Sequence, residues 1–280
     1  MAERFRYVLC DVFTNEALAG NQLAVFTDAR GIPENQLQRL AKELNISETT
    51  FVFPPKADGH VYMRIFTPAS ELPFAGHPTL GTAFVLAGPL QLLEIRIETG
   101  RGTVAVNVER EGARIVFGRM EQPLPTIVPF EHADELLAVL GVEAVLPVEL
   151  YDNGVPHVLV ALGSREQVAA LQPDQQRLAA LGVYGINCFA GEGLSWKTRM
   201  FGPMLGMAED PATGSAAGPL ALHLARHGEV AFGDEIEISQ GAEIGRPSTL
   251  YARVDGTADA VERIEVGGSA VIVARGEFSL

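Results

Sequence analysis

The chain has 280 residues, 47% of them hydrophobic, and a formal net charge of −14 at pH 7. Such a length and apolar content allow two domains with real cores. The acidic balance, with no basic cluster to offset it, argues against nucleic acid or an anionic membrane as a partner.

Taken in chain order, the alternation of Tyr7 to Phe13 predicts a strand, followed by the polar turn Thr14 to Glu16. Ala19-Gly20-Asn21 leads into a second strand, Gln22 to Phe26. Ile32-Pro33-Glu34 opens a helix whose face is Leu37, Leu40, Ala41 and Leu44. Asn45 to Thr50 breaks that helix and feeds a strand, Phe51 to Phe53, with His60 to Phe66 as the next. A small-residue helix covers Pro78 to Leu86, and strands follow at Glu94 to Glu98, Gly102 to Glu109 and Ala113 to Gly118. Gln122-Pro123-Leu124-Pro125-Thr126 is the most linker-like stretch, because two prolines deny both helix and sheet. Beyond it come a helix (Ala133 to Leu140), strands (Val145 to Tyr151 and Val155 to Leu162) and a helix with Ser164 and Gln167 as a capping box. Tyr184 to Ala190 and Thr198 to Phe201 are strands, Ala216 to Arg226 is a second small-residue helix, and four short strands close the chain: Glu235 to Ser239, Thr249 to Val254, Arg263 to Val266 and Ala270 to Ala274.

The two halves share a plan. Arg64-Ile65-Phe66-Thr67-Pro68 followed by Glu71-Leu72-Pro73-Phe74-Ala75-Gly76-His77-Pro78 is matched by Arg199-Met200-Phe201-Gly202-Pro203 followed by Glu209-Asp210-Pro211-Ala212-Thr213-Gly214-Ser215-Ala216. Each copy reads as strand, turn, acidic residue, and then a Gly-polar pair opening a helix. Free N–H groups at such a helix start attract anions, so the duplication predicts a socket for a carboxylate. Asn153-Gly154-Val155-Pro156-His157-Val158 likewise echoes Gly20-Asn21-Gln22-Leu23-Ala24-Val25. The period is too long for a solenoid. The pattern predicts an α+β fold of two similar halves, with the active site in the cleft between them.

Ready-made motifs are lacking. No Gly-x-Gly-x-x-Gly follows a strand, and there is no phosphate-binding loop and no nucleophile elbow. His223 and His227 stand i,i+4 on one helix, without the intervening Glu of a zinc protease or a nearby Cys, and read as helix C-terminal histidines. His157 has two readings, a place near the cleft, since its strand parallels the one after Asn21, and a packed structural histidine, which is favoured; His60 and His132 read as surface residues. Cys10 and Cys188, the two cysteines, lie in apolar runs and read as reduced core residues. No apolar run reaches the roughly 18 residues of a spanning helix. The opening residues lack a secretory h-region, so a cytoplasmic location is expected.

Glu48 is the sharpest candidate for chemistry: a carboxylate at a strand mouth, flanked by Ile46 and Phe51-Val52-Phe53, where partial burial suits a general base. The competing reading is a solvated turn carboxylate, with Ser47 capping the turn. His77 and Asp210 stand at equivalent helix starts. There a dipole disfavours the imidazolium and favours an ionised Asp; a loop histidine and an Asx turn are the alternatives. Gly76 and Gly214 offer backbone N–H groups and Ser215 a hydroxyl donor. No metal, cofactor or activated nucleophile is called for. What remains is proton chemistry on a small acid, as in an isomerase or epimerase.

These blocks resemble the diaminopimelate epimerase-like fold, in which each half is a mostly antiparallel curved sheet around a central helix. In its epimerases and racemases a Cys stands beside each Gly as one of two bases. Here those places hold His77 and Ser215, which contradicts a two-thiol racemase. The sequence is more similar to the PhzF family of phenazine biosynthesis. Ser47-Glu48-Thr49-Thr50-Phe51 and the two duplicated blocks carry that resemblance, with Ile186-Asn187-Cys188-Phe189-Ala190-Gly191, Ala216-Ala217-Gly218-Pro219 and Gln240 to Ser248 adding to it. It implies isomerisation of trans-2,3-dihydro-3-hydroxyanthranilate to an aminoketone, Glu48 carrying the proton from C3 to C1. His77, Asp210 and Ser215 would hydrogen-bond substrate or relay protons, and Gly76, Gly214, Ser47 and Asn21 would bind it. It also implies a cofactor-free homodimer of domains 1–125 and 126–280, with the last strand able to cross back to the first domain. Another small carboxylic acid as substrate, or a non-catalytic carboxylate-binding protein, remain the alternatives.

Overall fold

Alternating apolar residues build the first strand of the computed structural model, which describes residues 3–280. This is β1 (Arg4–Val12), and β2 (Asn21–Phe26) folds back antiparallel on it, with Tyr7 opposite Phe26 and Val12 opposite Asn21. The turn between them depends on Gly20, whose φ of 66° is left-handed and where a Cβ would collide with the Val12 carbonyl oxygen. Next come α1 (Glu34–Leu44), with Leu37, Leu40 and Ala41 buried as the periodicity predicts, and β3 (Glu48–Phe53). Then follow β4 (Val61–Phe66), the two-residue β5 (Glu71–Leu72), α2 (Gly76–Leu90), β6 (Glu94–Thr99), β7 (Gly102–Glu111) and β8 (Arg114–Gln122).

The second series is β9 (Thr126–Pro129), α3 (Ala133–Leu140), β10 (Glu149–Asp152), β11 (Pro156–Ala161), α4 (Arg165–Ala170) and α5 (Gln175–Ala180). It continues with β12 (Gly185–Glu192), β13 (Ser195–Gly202), β14 (Met207–Asp210), α6 (Gly214–Arg226), β15 (Glu235–Gln240), β16 (Ser248–Gly256) and β17 (Val261–Gly268), and β18 (Ala270–Ser279) ends the chain. The linker is shorter than its composition suggests, since β8 runs through Gln122 and β9 begins at Thr126. The capping box is half made. Ser164 accepts from Gln167 N, but the Gln167 side chain turns to Gly163 N. The Asp174 cap that starts α5 carries no periodic signal in its short helix.

By compactness the chain divides into one unit of Met1–Glu121 with Gly267–Leu280 and another of Gln122–Val266. In the first, β18, β1 and β2 run antiparallel, β2 is parallel to β3, β3 and β4 are antiparallel, and β4 is parallel to β6. The second repeats this succession with β9, β10 and β11, then β12, β13 and β15. Strand β18 thus plays the part in its unit that β9 plays in the other.

Each unit buries a helix on every side, α2 from Gly76 to Ala87 and α6 from Gly214 to Ala225. A helix apolar all round must be enclosed by its own sheet; α2 packs against β1, β2, β3, β6, β7 and β18. Outside the sheets lie smaller cores. Phe26, Phe51 and Phe66 pack under α1, with the first two rings stacked 4.8 Å apart. Leu136, Val158, Val160, Ile186 and Cys188 form the core under α3, α4 and α5. Both cysteines are buried and free, and burial pushes the Cys188 thiol up to about 12.

Candidate functional site

In the first unit the sheet delivers Glu48 at the first position of β3, where Leu23 of β2 pairs with it. The strand starts earlier than the apolar run Phe51 to Phe53 suggests, because parallel pairing with β2 takes in the polar residues ahead of it. Glu48 is therefore no solvated turn carboxylate: it is 8% exposed. Its Oε2 lies 3.2 Å from His77 Nε2. Helix α2 likewise starts two residues before Pro78, since a proline in the first turn gives up an N–H that has no partner there anyway.

His77 is buried, and burial depresses its pKa to about 3 while its contact with the Gln22 carbonyl opposes the shift. The helix start is thus not the first cause; desolvation of the charged form is. The ring is neutral near pH 7. Its Nδ1 faces Asn21 Nδ2 at 3.3 Å, and its Nε2 faces the Gln22 carbonyl at 3.3 Å as well as Glu48. With the Asn21 amide donating to Nδ1, the Nε2–H donates to the Gln22 carbonyl, and Glu48 Oε2 lies beside the ring at 3.2 Å. Ser47 is half-buried in the bend just before β3.

The second unit builds its cluster on the start of α6. Asp210 ends β14 and is 5% exposed, and its Oδ2 accepts from Thr213 Oγ1 at 2.6 Å. Thr213 is the N-cap residue, so Asp210 lies one strand end away from the helix. Gln240, at the end of β15, donates to the Asp210 carbonyl and to Thr213 Oγ1 and accepts from Thr213 N, pinning the loop between them. Ser215 is buried in the first turn of α6, its Oγ 2.9 Å from His157 Nε2. Asn153 Nδ2 donates to the Ser215 carbonyl at 2.8 Å, and Gln122 Nε2 to that of Gly214 at 2.7 Å.

Gly76 and Gly214 are the first residues of α2 and α6, and neither helix has a side-chain cap bond. Their first N–H groups therefore stay available for an anion. Two residues of the second cluster escape sequence reasoning as site residues, and a third, His157, is read first as packing, yet it holds Ser215. Asn187 and Gln240 sit inside strand patterns whose polar members look like ordinary sheet residues. The echo of the Asn21 segment at Asn153 was the available signal for His157.

A separate cluster forms at the far end of α6. Glu149, His223 and His227 bring three metal-type donor atoms within 4.8 Å of one another. The same Glu149 Oε2 also receives Arg226 Nη1 at 3.1 Å and Tyr151 Oη at 2.9 Å. The guanidinium already balances the carboxylate charge, so the group reads as a hydrogen-bonded tie between α6 and β10.

The protein-family comparison matches residues 10–276 to the phenazine biosynthesis-like (PhzC-PhzF) proteins. A trans-2,3-dihydro-3-hydroxyanthranilate isomerase of Pseudomonas chlororaphis is 48% identical over 275 residues, 98% of this chain and 99% of the relative. Among solved structures, a PhzF-family phenazine biosynthesis protein of Bacillus anthracis superimposes with a TM-score of 0.86 at 24% identity, covering 99% of this chain and 100% of that one. A hydroxyproline epimerase of Agrobacterium vitis follows at 0.70 and 14%, covering 100% and 94%, a likeness of fold alone. With a whole-chain family match and near-half identity added to the duplicated Gly-polar helix starts, the chain belongs to the PhzF family of phenazine biosynthesis-like proteins.

Proposed function

We propose that the protein isomerises trans-2,3-dihydro-3-hydroxyanthranilate, the reaction in the name of its P. chlororaphis relative, with Glu48 as the one base. The observation that carries this reading is the buried Glu48 carboxylate held 3.2 Å from a neutral histidine. A carboxylate shielded from water and set beside a neutral imidazole is a competent proton carrier. In the second unit the position matching Glu48, the first residue of the strand that pairs parallel with its neighbour, is Gly185, which carries no side chain. One base serves a proton shift along one face of a ring. A racemase, which works from both faces, needs two.

In the proposed step Glu48 takes the proton from C3, the double bond moves, and the same carboxyl returns the proton at C1. Atoms and electrons balance without a co-reactant. His77 orients the Glu48 carboxyl, Asp210 and Ser215 hydrogen-bond the substrate, and the N–H groups at Gly76 and Gly214 take its carboxylate, with Ser47 and Asn21 at the binding positions. A cofactor-free cytoplasmic homodimer completes the reading.

Incubation of the protein with the dihydro-hydroxyanthranilate in D2O tests it. Wild type turns substrate over, and Glu48→Gln, which keeps the shape and loses the base, falls by about a thousandfold. Unchanged turnover in that variant would sink the mechanism. Tight binding by wild type with no turnover would make the protein a carboxylate binder, and turnover of a different small acid alone would reassign the substrate.

A further inference from the structure

We infer that His157 is a positioning residue that fixes Ser215 as a hydrogen-bond donor to the bound substrate. The inference rests on the isomerase reading for its functional part and on hydrogen-bond accounting for its structural part. His157 is fully buried on β11, with Nδ1 3.3 Å from Asn187 Nδ2 and Nε2 2.9 Å from Ser215 Oγ. A neutral imidazole has one donor nitrogen and one acceptor nitrogen, so its two neighbours decide which is which.

Asn187 decides it. As placed, its Nδ2 faces His157 Nδ1 and its Oδ1 is buried without a partner. Turning the amide over would put the NH₂ into that partnerless position instead. A buried orphan N–H is rarer and costlier than an under-used carbonyl oxygen. The amide therefore donates to Nδ1, and the proton of the ring sits on Nε2. That Nε2–H donates to Ser215 Oγ. The hydroxyl oxygen is then an acceptor toward the ring, and its own hydrogen must point elsewhere. Ser215 is thus set, before any ligand arrives, to donate to a carboxylate or a developing enolate oxygen.

The chain makes room for this arrangement. His157 pairs across the sheet with Gly185, where a Cβ would collide with Nδ1. Any larger residue there would push the ring away from Ser215. Burial also favours the neutral ring, depressing its pKa to about 4, so the tautomer persists across the pH range in which the enzyme would work. The parallel in the first unit is close, since Asn21 faces Nδ1 of His77 in the same way. There the Nε2–H reaches the Gln22 carbonyl; here it reaches a hydroxyl.

The test has two arms. In the wild-type protein, nitrogen-15 NMR of the histidines should show His157 with a pyridine-like Nδ1 and a pyrrole-like Nε2, with no substrate present. The opposite tautomer overturns the inference whatever the enzyme does, so this arm is independent of the isomerase assignment. In the activity arm, His157→Phe should lower kcat/KM roughly ten- to hundredfold, the range for one hydrogen bond to a charged group. His157→Gln, whose amide can donate from a similar place, should recover most of it. Ser215→Ala should cost about as much as His157→Phe, and the double variant little more than either. Gly185→Ala should reproduce the His157→Phe defect without altering either partner. Fully additive losses, or a glutamine variant as impaired as the phenylalanine one, would overturn the coupling.

Discussion

Two arginines at matching points of the duplication, Arg64 and Arg199, each clamp a glutamate with two nitrogens and lie over a phenylalanine two residues on. Arg64 holds Glu71 at 2.7 Å through both contacts, and Arg199 holds Glu209 at 2.9 and 2.6 Å. The surroundings differ. The Arg199 and Glu209 side chains are 9% and 7% exposed, against 17% and 42% for Arg64 and Glu71. Arg199 Nη1 also donates to the Ala169 and Leu171 carbonyls at the end of α4. Removing one member of a buried pair leaves an unpaired charge and costs about 3–5 kcal/mol, whereas a half-exposed pair is worth about 1 kcal/mol. Arg199→Met should therefore lower the urea midpoint far more than Arg64→Met. Equal losses would mean that the two clamps do the same work.

Among the elements, α6 shows how a helix can give up a bond to serve its own N-terminus. Pro219 lies inside it and has no N–H for the Ser215 carbonyl four residues earlier. Asn153, ahead of β11, supplies the missing donor at 2.8 Å. Asn153→Ala should leave a buried carbonyl unsatisfied and cost about 1–3 kcal/mol. In a Pro219→Ala background, where the helix can make its own bond, the same substitution should cost much less. Chemical denaturation of the four proteins gives the cycle, and an undiminished cost would show that Asn153 acts by some other contact. The close packing of α2 is of the same kind. A Cβ on Gly81 would come within 2.6 Å of both Leu23 and Val12 side chains, so the helix reaches its sheet only because that residue is bare.

For the whole molecule, two properties follow from what is buried and from what pairs with what. The last strand, β18, pairs with β1 along its length, from Arg4 opposite Ser279 to Val12 opposite Ala270. Deleting residues 270–280 should strip β1 of one neighbour and give an insoluble or unfolded protein; a soluble, cooperatively melting product would contradict this. Acid sensitivity is the second property. Burial holds His77 at about 3, and His157 and His223 at about 4, against about 6.5 in an unfolded chain. Between those values the unfolded chain binds protons that the native one refuses. Stability is thus full above pH 6.5 or so and falls as pH drops through the window. From pH 7 to 5 the loss should be about 2 kcal/mol for each such histidine, seen as a falling urea midpoint. His157→Gln should flatten that dependence by one histidine's share.

Elements whose signal is local are legible in the amino-acid sequence alone. Periodicity places α1 and α3, the Ser164 signal starts α4, and the two Gly-polar pairs mark the starts of α2 and α6. The sequence also singled out Glu48, as a carboxylate at a strand mouth among apolar residues, and His77, Asp210 and Ser215, because polar residues recurring at equivalent turns have no reason to be there in a purely structural repeat. What each of them touches is set by contacts between distant parts of the chain. That Glu48 is buried follows from parallel pairing with β2, a contact between residues far apart in the chain. For His157 the packing reading outweighs the cleft reading in the sequence because strand alternation reports that a side chain is inside, not which polar atom waits beside it. Likewise β18 joins the first unit because β1 lacks an edge partner there, a need that no local pattern near the C-terminus encodes.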